Sequence, residues 1–287
     1  MRSYLARFDT PEFRSRIEAQ SDDDPAHIKL LLDTYFAEML YGYEFATRHM
    51  PDRKLRIMEV GAGLGLISAY LASLGHEVVA LEPANLAFGI FDITKKTIWE
   101  ELGDEAPYLE ERPAEDIDID ETGDFDFIFS INVLEHIGDL EAATAAMLKV
   151  LRPGAISAHL CPNYFVPYEP HYSLTMVPGG FHNLTRRLFA GTIDPNPDAW
   201  NSLNFITAAR VRKMARANNV DVTFQKGLIH ETFLRMGAEE EISRRHGNTI
   251  VGRAYRMLKA TGLLSLTRHI PATMTSPMAF IYERPAK

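Results

Sequence analysis

The stretch Glu59-Val60-Gly61-Ala62-Gly63-Leu64-Gly65 combines a carboxylate with three glycines at alternate positions. Glycine has no Cβ, so such a turn can take positive φ and let a ligand lie against bare backbone. A dinucleotide fingerprint, G-x-G-x-x-G, requires a third glycine where this chain has Leu66, which argues against a nicotinamide-dependent oxidoreductase. Glu82, followed by Pro83, comes 17 residues after Gly65. A carboxylate there can accept hydrogen bonds from both hydroxyls of a ribose, and its charge repels a 2′-phosphate. Glu59 sits inside an apolar run, where burying a charge is costly unless something compensates; a positively charged ligand amine would do so.

A second set of reactive side chains lies further along. Residues 163–172 are dense in Tyr, Glu, His and Pro, and read as a preorganised polar and aromatic pocket wall, with Tyr164, Tyr168, Glu169 and Tyr172 as candidate substrate contacts. His136 and His171 are candidate general bases, because imidazole titrates near neutrality. The alternative role for His136 is to cap or pack the start of a helix, and Glu169 can orient an imidazole or bind a substrate hydroxyl. A divalent ion at an acceptor site would demand clustered carboxylates, and no pair of motifs assembles them. His182 with Asn183, and Asp194 with Asp198, read as loop residues.

These residues need elements to hold them. Asp24 at an N-cap and Pro25 at the first helical position predict a long amphipathic helix from Pro25 to His49. Residues 55–60 read as a buried strand, 61–65 as a tight turn, 66–74 as a helix and 76–81 as a second strand, together a βαβ unit. The alternation continues with a helix at 90–102 and a strand at 125–131. A helix at 140–151 follows, stopped by Pro153-Gly154, then a strand at 156–161, a helix at 206–218 and strands at 220–226 and 278–283. The pattern is that of an α/β fold with a doubly wound, mainly parallel sheet. Residues 162–203, rich in Pro and aromatics, and residues 228–276, helical in pattern, interrupt the alternation as insertions of the kind that form substrate lids.

The glycine motif, with its acidic residue at Glu59 and glycines at Gly61, Gly63 and Gly65, resembles the first motif of the class I S-adenosylmethionine-dependent methyltransferases. Ala114-Glu115-Asp116 is similar to the acidic stretch that this family presents to the adenine amino group, and Asp118 and Asp120 lie close enough to substitute. Residues 125–137, FDFIFSINVLEHI, resemble the family's fourth strand and following turn, and LKVLRPG at 148–154 resembles the approach to its fifth strand. The resemblance covers residues 55–161 closely and 206–226 in pattern and order. It implies a Rossmann-like methyltransferase fold with S-adenosylmethionine as cofactor, held by Glu59, Gly61, Ala62, Gly63, Gly65, Glu82, Pro83, Glu115, Asp116 and Asn132. The implied organisation is an N-terminal helical segment (1–54), a donor-binding core (55–161), an acceptor-side insertion (162–205) and a C-terminal part of the core (206–287) with a helical insertion at 228–276. The expected activity is methylation of an oxygen on a polar or anionic acceptor, such as a sugar or glycan precursor, with a histidine as base. Methylation of nitrogen or carbon on another small metabolite is the alternative, and a nicotinamide-dependent oxidoreductase and a non-catalytic donor-binding protein are the alternatives from other classes.

Composition sets the surroundings. The 287 residues, 46% hydrophobic and 24% charged, fit a globular protein of one or two domains. A single cysteine cannot form an internal disulfide or a Cys-rich metal site, which fits a reducing cytoplasm. No export or membrane-spanning segment is visible in the sequence. The net charge of −9 hides an asymmetry: residues 1–151 hold 13 Lys+Arg against 30 Asp+Glu, or −17, and the remainder holds 17 against 9, or +8. The basic half suits an anionic substrate or partner, or attraction to the acidic half. Arg244, Arg245, Arg253, Arg256, Lys259 and Arg268, interleaved with apolar residues, predict a basic amphipathic helix that either packs on the fold or lies on an anionic membrane surface. Nucleic acid is not expected as a partner, since no base-stacking or groove-reading motif accompanies the acidic total.

Overall fold

The computed structural model describes residues 1–83, 89–195, 197–238 and 250–286. Within them the strands are β1 (Arg56–Val60), β2 (Glu77–Leu81), β3 (Tyr108–Glu110), β4 (Phe125–Ile131), β5 (Leu151–Cys161), β6 (Tyr168–Glu169), β7 (Leu174–Thr175), β8 (Asp221–Phe224) and β9 (Met278–Glu283). Seven of them form one sheet in the order β3-β2-β1-β4-β5-β9-β8, and β6 and β7 form a separate antiparallel ribbon. β1 runs parallel to β2 and β4, and β2 parallel to β3, whereas β8 and β9 are antiparallel. Helices separate successive strands, so the sheet is the mainly parallel, Rossmann-like one that the alternation predicts. β1, β2 and β4 are almost wholly buried, as apolar strands covered on both faces must be.

Two compact units divide the chain: Met1–Ile131, Ala143–Ala158 and Arg284–Lys287 form one, and Asn132–Ala142 with His159–Glu283 the other. In the first, Asp24 accepts a hydrogen bond from the Ala26 N–H at 2.7 Å and, with Pro25, starts the helix Pro25–His49 where the sequence places it. Two shorter helices precede it, Arg2–Leu5 and Pro11–Glu18, the latter capped by Thr10. They carry Phe8, Phe13 and Ile17 into a core shared with Ile28, Leu32, Leu66, Ile90 and Ile98, which binds the N-terminal helices to those flanking the glycine turn.

The largest departure from the sequence reading in this unit concerns β5. Its strand begins at Leu151 and runs through Pro153-Gly154, where the sequence suggests a turn. Pro153 has no N–H to contribute and lies at an exposed position. The ladder continues on its neighbours: Gly154 N–H donates to Arg284 O at 2.9 Å, and Arg284 N–H donates to Ala155 O at 3.0 Å.

The second unit opens its insertion on Asn163, which is fully buried. Its Nδ2 donates to the carbonyls of Thr273 and Thr275 at 3.0 Å, tying the insertion to the segment before β9. The β6–β7 ribbon follows, then the helices His182–Leu188, Ala190–Ile193 and Pro197–Asn201. The described residues of 228–276 include the helices Leu228–Ala238 and Ile250–Ala260 and the short turns Leu264–His269 and Ala272–Met274; Arg244 and Arg245 lie outside the described residues. Cys161, at the end of β5, is buried, and burial raises its thiol well above the ordinary value. Among the described residues, no helix is long and apolar enough to cross a membrane.

Candidate functional site

The glycine turn is built almost entirely from main chain. Gly61 and Ala62 N–H groups both donate to Leu81 O, at 2.8 and 3.0 Å, fastening the turn to the end of β2. Gly61, Gly63 and Gly65 have φ of +70°, +56° and +77°, a region that side chains disfavour. At Gly65 space is short as well, since a Cβ would lie 2.8 Å from Trp99 Cζ2 and the ring would have to move. Gly63 N–H donates to Glu82 Oε2 at 2.9 Å, which holds this carboxylate over the turn. Glu82 is 6% exposed, and burial raises its pKa despite that hydrogen bond.

Glu59 is buried on β1, where its neighbours across the sheet are Ala80 and Phe129. Burial pushes its carboxyl up to about 8, although Ser68 Oγ–H donates to Oε2 at 2.5 Å. Ser68 is not among the residues that the sequence singles out; its place one turn into the helix after the glycines is the signal that could have found it. Pro83 is half-buried. Glu115 and Asp116 occupy a single short turn, Ala114–Asp116, after β3.

Asn132 belongs to the second unit, where it adopts φ of +53° and its N–H donates to Leu160 O at 2.8 Å. The same unit gathers the acceptor-side candidates around Glu169, a fully buried carboxylate. Its Oε1 accepts from Tyr164 Oη at 3.2 Å and lies 2.6 Å from His171 Nδ1, while Oε2 accepts the Tyr172 N–H at 2.8 Å. Burial first, and Glu169 second, drive the Tyr164 phenol far above its ordinary pKa, so it stays a hydrogen-bond donor. Tyr168, also buried, precedes Glu169 on β6, and Tyr172 packs near Trp200 with ring centroids 6.2 Å apart.

His136 does not cap a helix. Its Nδ1 lies 2.8 Å from Ser202 Oγ, and its ring meets that of His171 edge-on, with centroids 5.0 Å apart. Burial, then the neighbouring His171, lowers its pKa, so the ring is neutral at neutral pH. Glu135, His136 and His171 each offer one ligand atom, and the three atoms lie within 4.8 Å of one another. The sequence reading searched for paired carboxylates and so missed Glu135. The other pairs it considered are separate: His182 stacks on Phe205 at 3.7 Å, and Asp194 pairs with Arg186 at 2.6 Å.

A family profile described as a methyltransferase domain matches residues 58–157. The uncharacterized protein Rv1509 of Mycobacterium tuberculosis is 32% identical over 226 residues, covering 76% of this chain and 75% of that one. The chain belongs to the class I S-adenosylmethionine-dependent methyltransferases. The methyltransferase is also 24% identical to a ubiquinone biosynthesis O-methyltransferase of Paraburkholderia xenovorans, over 61% of this chain and 68% of the relative. An S-adenosylmethionine-dependent methyltransferase of Mesorhizobium loti has the same fold, with a TM-score of 0.52 at 12% identity, over 85% of this chain and 98% of that one. The cofactor of the methyltransferase is S-adenosylmethionine. The turn fits it: glycines replace side chains where bare backbone is needed, and two buried carboxylates suit a ligand with a sugar diol and an ammonium group.

Proposed function

We propose that the methyltransferase methylates an oxygen of a small polar or anionic acceptor, with a sugar or glycan precursor as the leading class, and that a histidine takes the acceptor's proton. In this reading Gly61, Ala62, Gly63 and Gly65 present main chain to the donor. Glu82 and Pro83 flank its ribose, Glu59 serves its ammonium group, and Glu115, Asp116 and Asn132 complete the contacts. S-adenosylmethionine supplies a methyl group on a positively charged sulfur. The observation that carries the reading is the 2.6 Å contact between His171 Nδ1 and Glu169 Oε1. A carboxylate at Nδ1 holds the ring with its lone pair on Nε2 and stabilises the imidazolium that forms.

With the donor's methyl group as the group transferred, His171 Nε2 would take the proton that the acceptor hydroxyl gives up. The imidazolium so formed would lie beside the Glu169 carboxylate. Tyr164, Tyr168 and Tyr172 orient the acceptor, and His136 packs against the base. The O-methyltransferase among the relatives, and the net +8 of residues 152–287, support an oxygen acceptor with anionic character. The test is transfer of a labelled methyl group to a panel of sugars, carboxylates, phenols and amines, with the product's methyl located by mass spectrometry. Transfer to a hydroxyl, abolished by His171→Ala, is the expected result; transfer confined to amines overturns it.

A peripheral contact with an anionic membrane surface belongs to the same reading. Arg253, Arg256 and Lys259 are exposed on the helix Ile250–Ala260, as are Met257 on that helix and Leu263 and Leu266 beyond it, a pairing of charge and apolar surface that suits lipid headgroups. Sedimentation with vesicles containing anionic lipid, against neutral vesicles, tests it; equal recovery in both overturns it.

A further inference from the structure

We propose that Glu135, His136 and His171 bind one divalent transition-metal ion, with zinc as the ion to test first. The three ligand atoms are already within 4.8 Å of one another, and the way each ring is held decides which nitrogen it presents. His171 Nδ1 lies 2.6 Å from Glu169 Oε1, which accepts from it, so its lone pair is on Nε2. His136 Nδ1 lies 2.8 Å from Ser202 Oγ. The single hydroxyl hydrogen of Ser202 goes to Ala199 O at 2.9 Å, so Ser202 accepts from His136 Nδ1–H, and here too the lone pair falls on Nε2. An imidazole anchored through Nδ1 by a carboxylate or hydroxyl, with Nε2 presented, is the usual state of a metal ligand, because the anchor fixes tautomer and ring direction.

The third donor is the fully buried carboxylate of Glu135, whose Oε1 lies 4.0 Å from His136 Nε2. A cation beside it offsets the cost of keeping its charge from water. Two imidazoles and one carboxylate favour first-row transition ions, whereas magnesium and calcium prefer oxygen-only shells. Zinc bonds of about 2.0–2.2 Å place tetrahedral ligands about 3.3 Å apart, so the ligand atoms, within 4.8 Å of one another, have only a small distance to close. His171 lies at the surface in the turn between β6 and β7 and is the member best able to make that adjustment.

The proposal rests on the reading of these residues as acceptor-side groups and changes one part of it. A nitrogen bound to an ion cannot also take a proton, so with the ion in place it is the ion that polarises the acceptor hydroxyl. The test uses the untagged full chain, stripped with a chelator and desalted, then titrated with Zn2+ by calorimetry and with Co2+ by visible absorption. One equivalent of each is expected, with zinc displacing cobalt. His171→Ala and Glu135→Gln are each expected to weaken binding by at least about 10- to 100-fold, the loss typical of groups that only support a ligand, with affinity for S-adenosylhomocysteine unchanged. Thermal unfolding without metal checks that each variant folds, and His171→Ala, at the surface, serves if Glu135→Gln does not. Absence of stoichiometric uptake by the folded protein, or uptake equal in the His171 variant, overturns the site. Methyl transfer that persists after chelation with no uptake removes the ion and leaves the methyl-transfer reading intact. Stoichiometric uptake without hydroxyl methylation removes that reading and leaves the site.

Discussion

The glycine turn and the Glu169 cluster reach a defined geometry by opposite means. In the turn, Gly61 and Ala62 are held by main-chain hydrogen bonds to the end of the next strand and Gly65 by one to Ala62 within the turn, and the side chains that matter most are the absent ones. In the cluster, residues as far apart as His136 and Ser202, 66 positions along the chain, meet through side chains. The first arrangement is broken by a Cβ at its glycines. The second tolerates backbone variation but loses its chemistry with a single side chain.

Four measurements can break that contrast or sharpen it. The largest effect is expected from His171→Ala, which should lower the rate of methyl transfer by about 100- to 10,000-fold, the usual contribution of a general base, while leaving donor affinity unchanged by calorimetry. A matching loss of donor affinity would erase the distinction between the regions. Gly65→Ala should act the other way: the strained φ costs about 1–2 kcal/mol of stability, and the clash with Trp99 should weaken S-adenosylhomocysteine binding at least tenfold, both readable from thermal unfolding and calorimetry. Next is a pH effect specific to the first region. Glu59 has its carboxyl raised from 4.5 to about 8 by burial, so its contribution to stability is complete below 4.5 and is lost as pH rises through 8. The midpoint of thermal unfolding of the ligand-free protein should fall over that interval, and Glu59→Gln should flatten the fall. The smallest effect is expected from Tyr164→Phe, which removes one hydrogen bond to Glu169, worth about 0.5–1.5 kcal/mol, and should raise KM for the acceptor without altering donor affinity.

How much of this could be read from sequence follows from the same contrast. The glycine turn, the helix Pro25–His49 and the strand Phe125–Ile131 are written in contiguous residues, as caps, missing side chains and apolar runs, and the structure has them in those places. β3 went unread because three residues supply no periodicity; it exists through its pairing with β2. Pro153-Gly154 looked like a stop because local turn chemistry says so, and pairing with residue 284 overrode it. The helix Pro11–Glu18 carries the same signal, a capping residue followed by proline, that revealed the helix at Pro25, and was legible but unread. His136, His171, Glu169 and the tyrosines were chosen by residue type, yet nothing along the chain says that His136 meets His171 or that Glu135 joins them. That information is tertiary.

Cys161 is the sole thiol in the chain, sealed in the interior and held in its protonated form by burial. A cysteine engineered at any exposed position would therefore be alone in reacting with a maleimide. Fluorophores or spin labels could be attached one at a time to this protein without first removing a native residue.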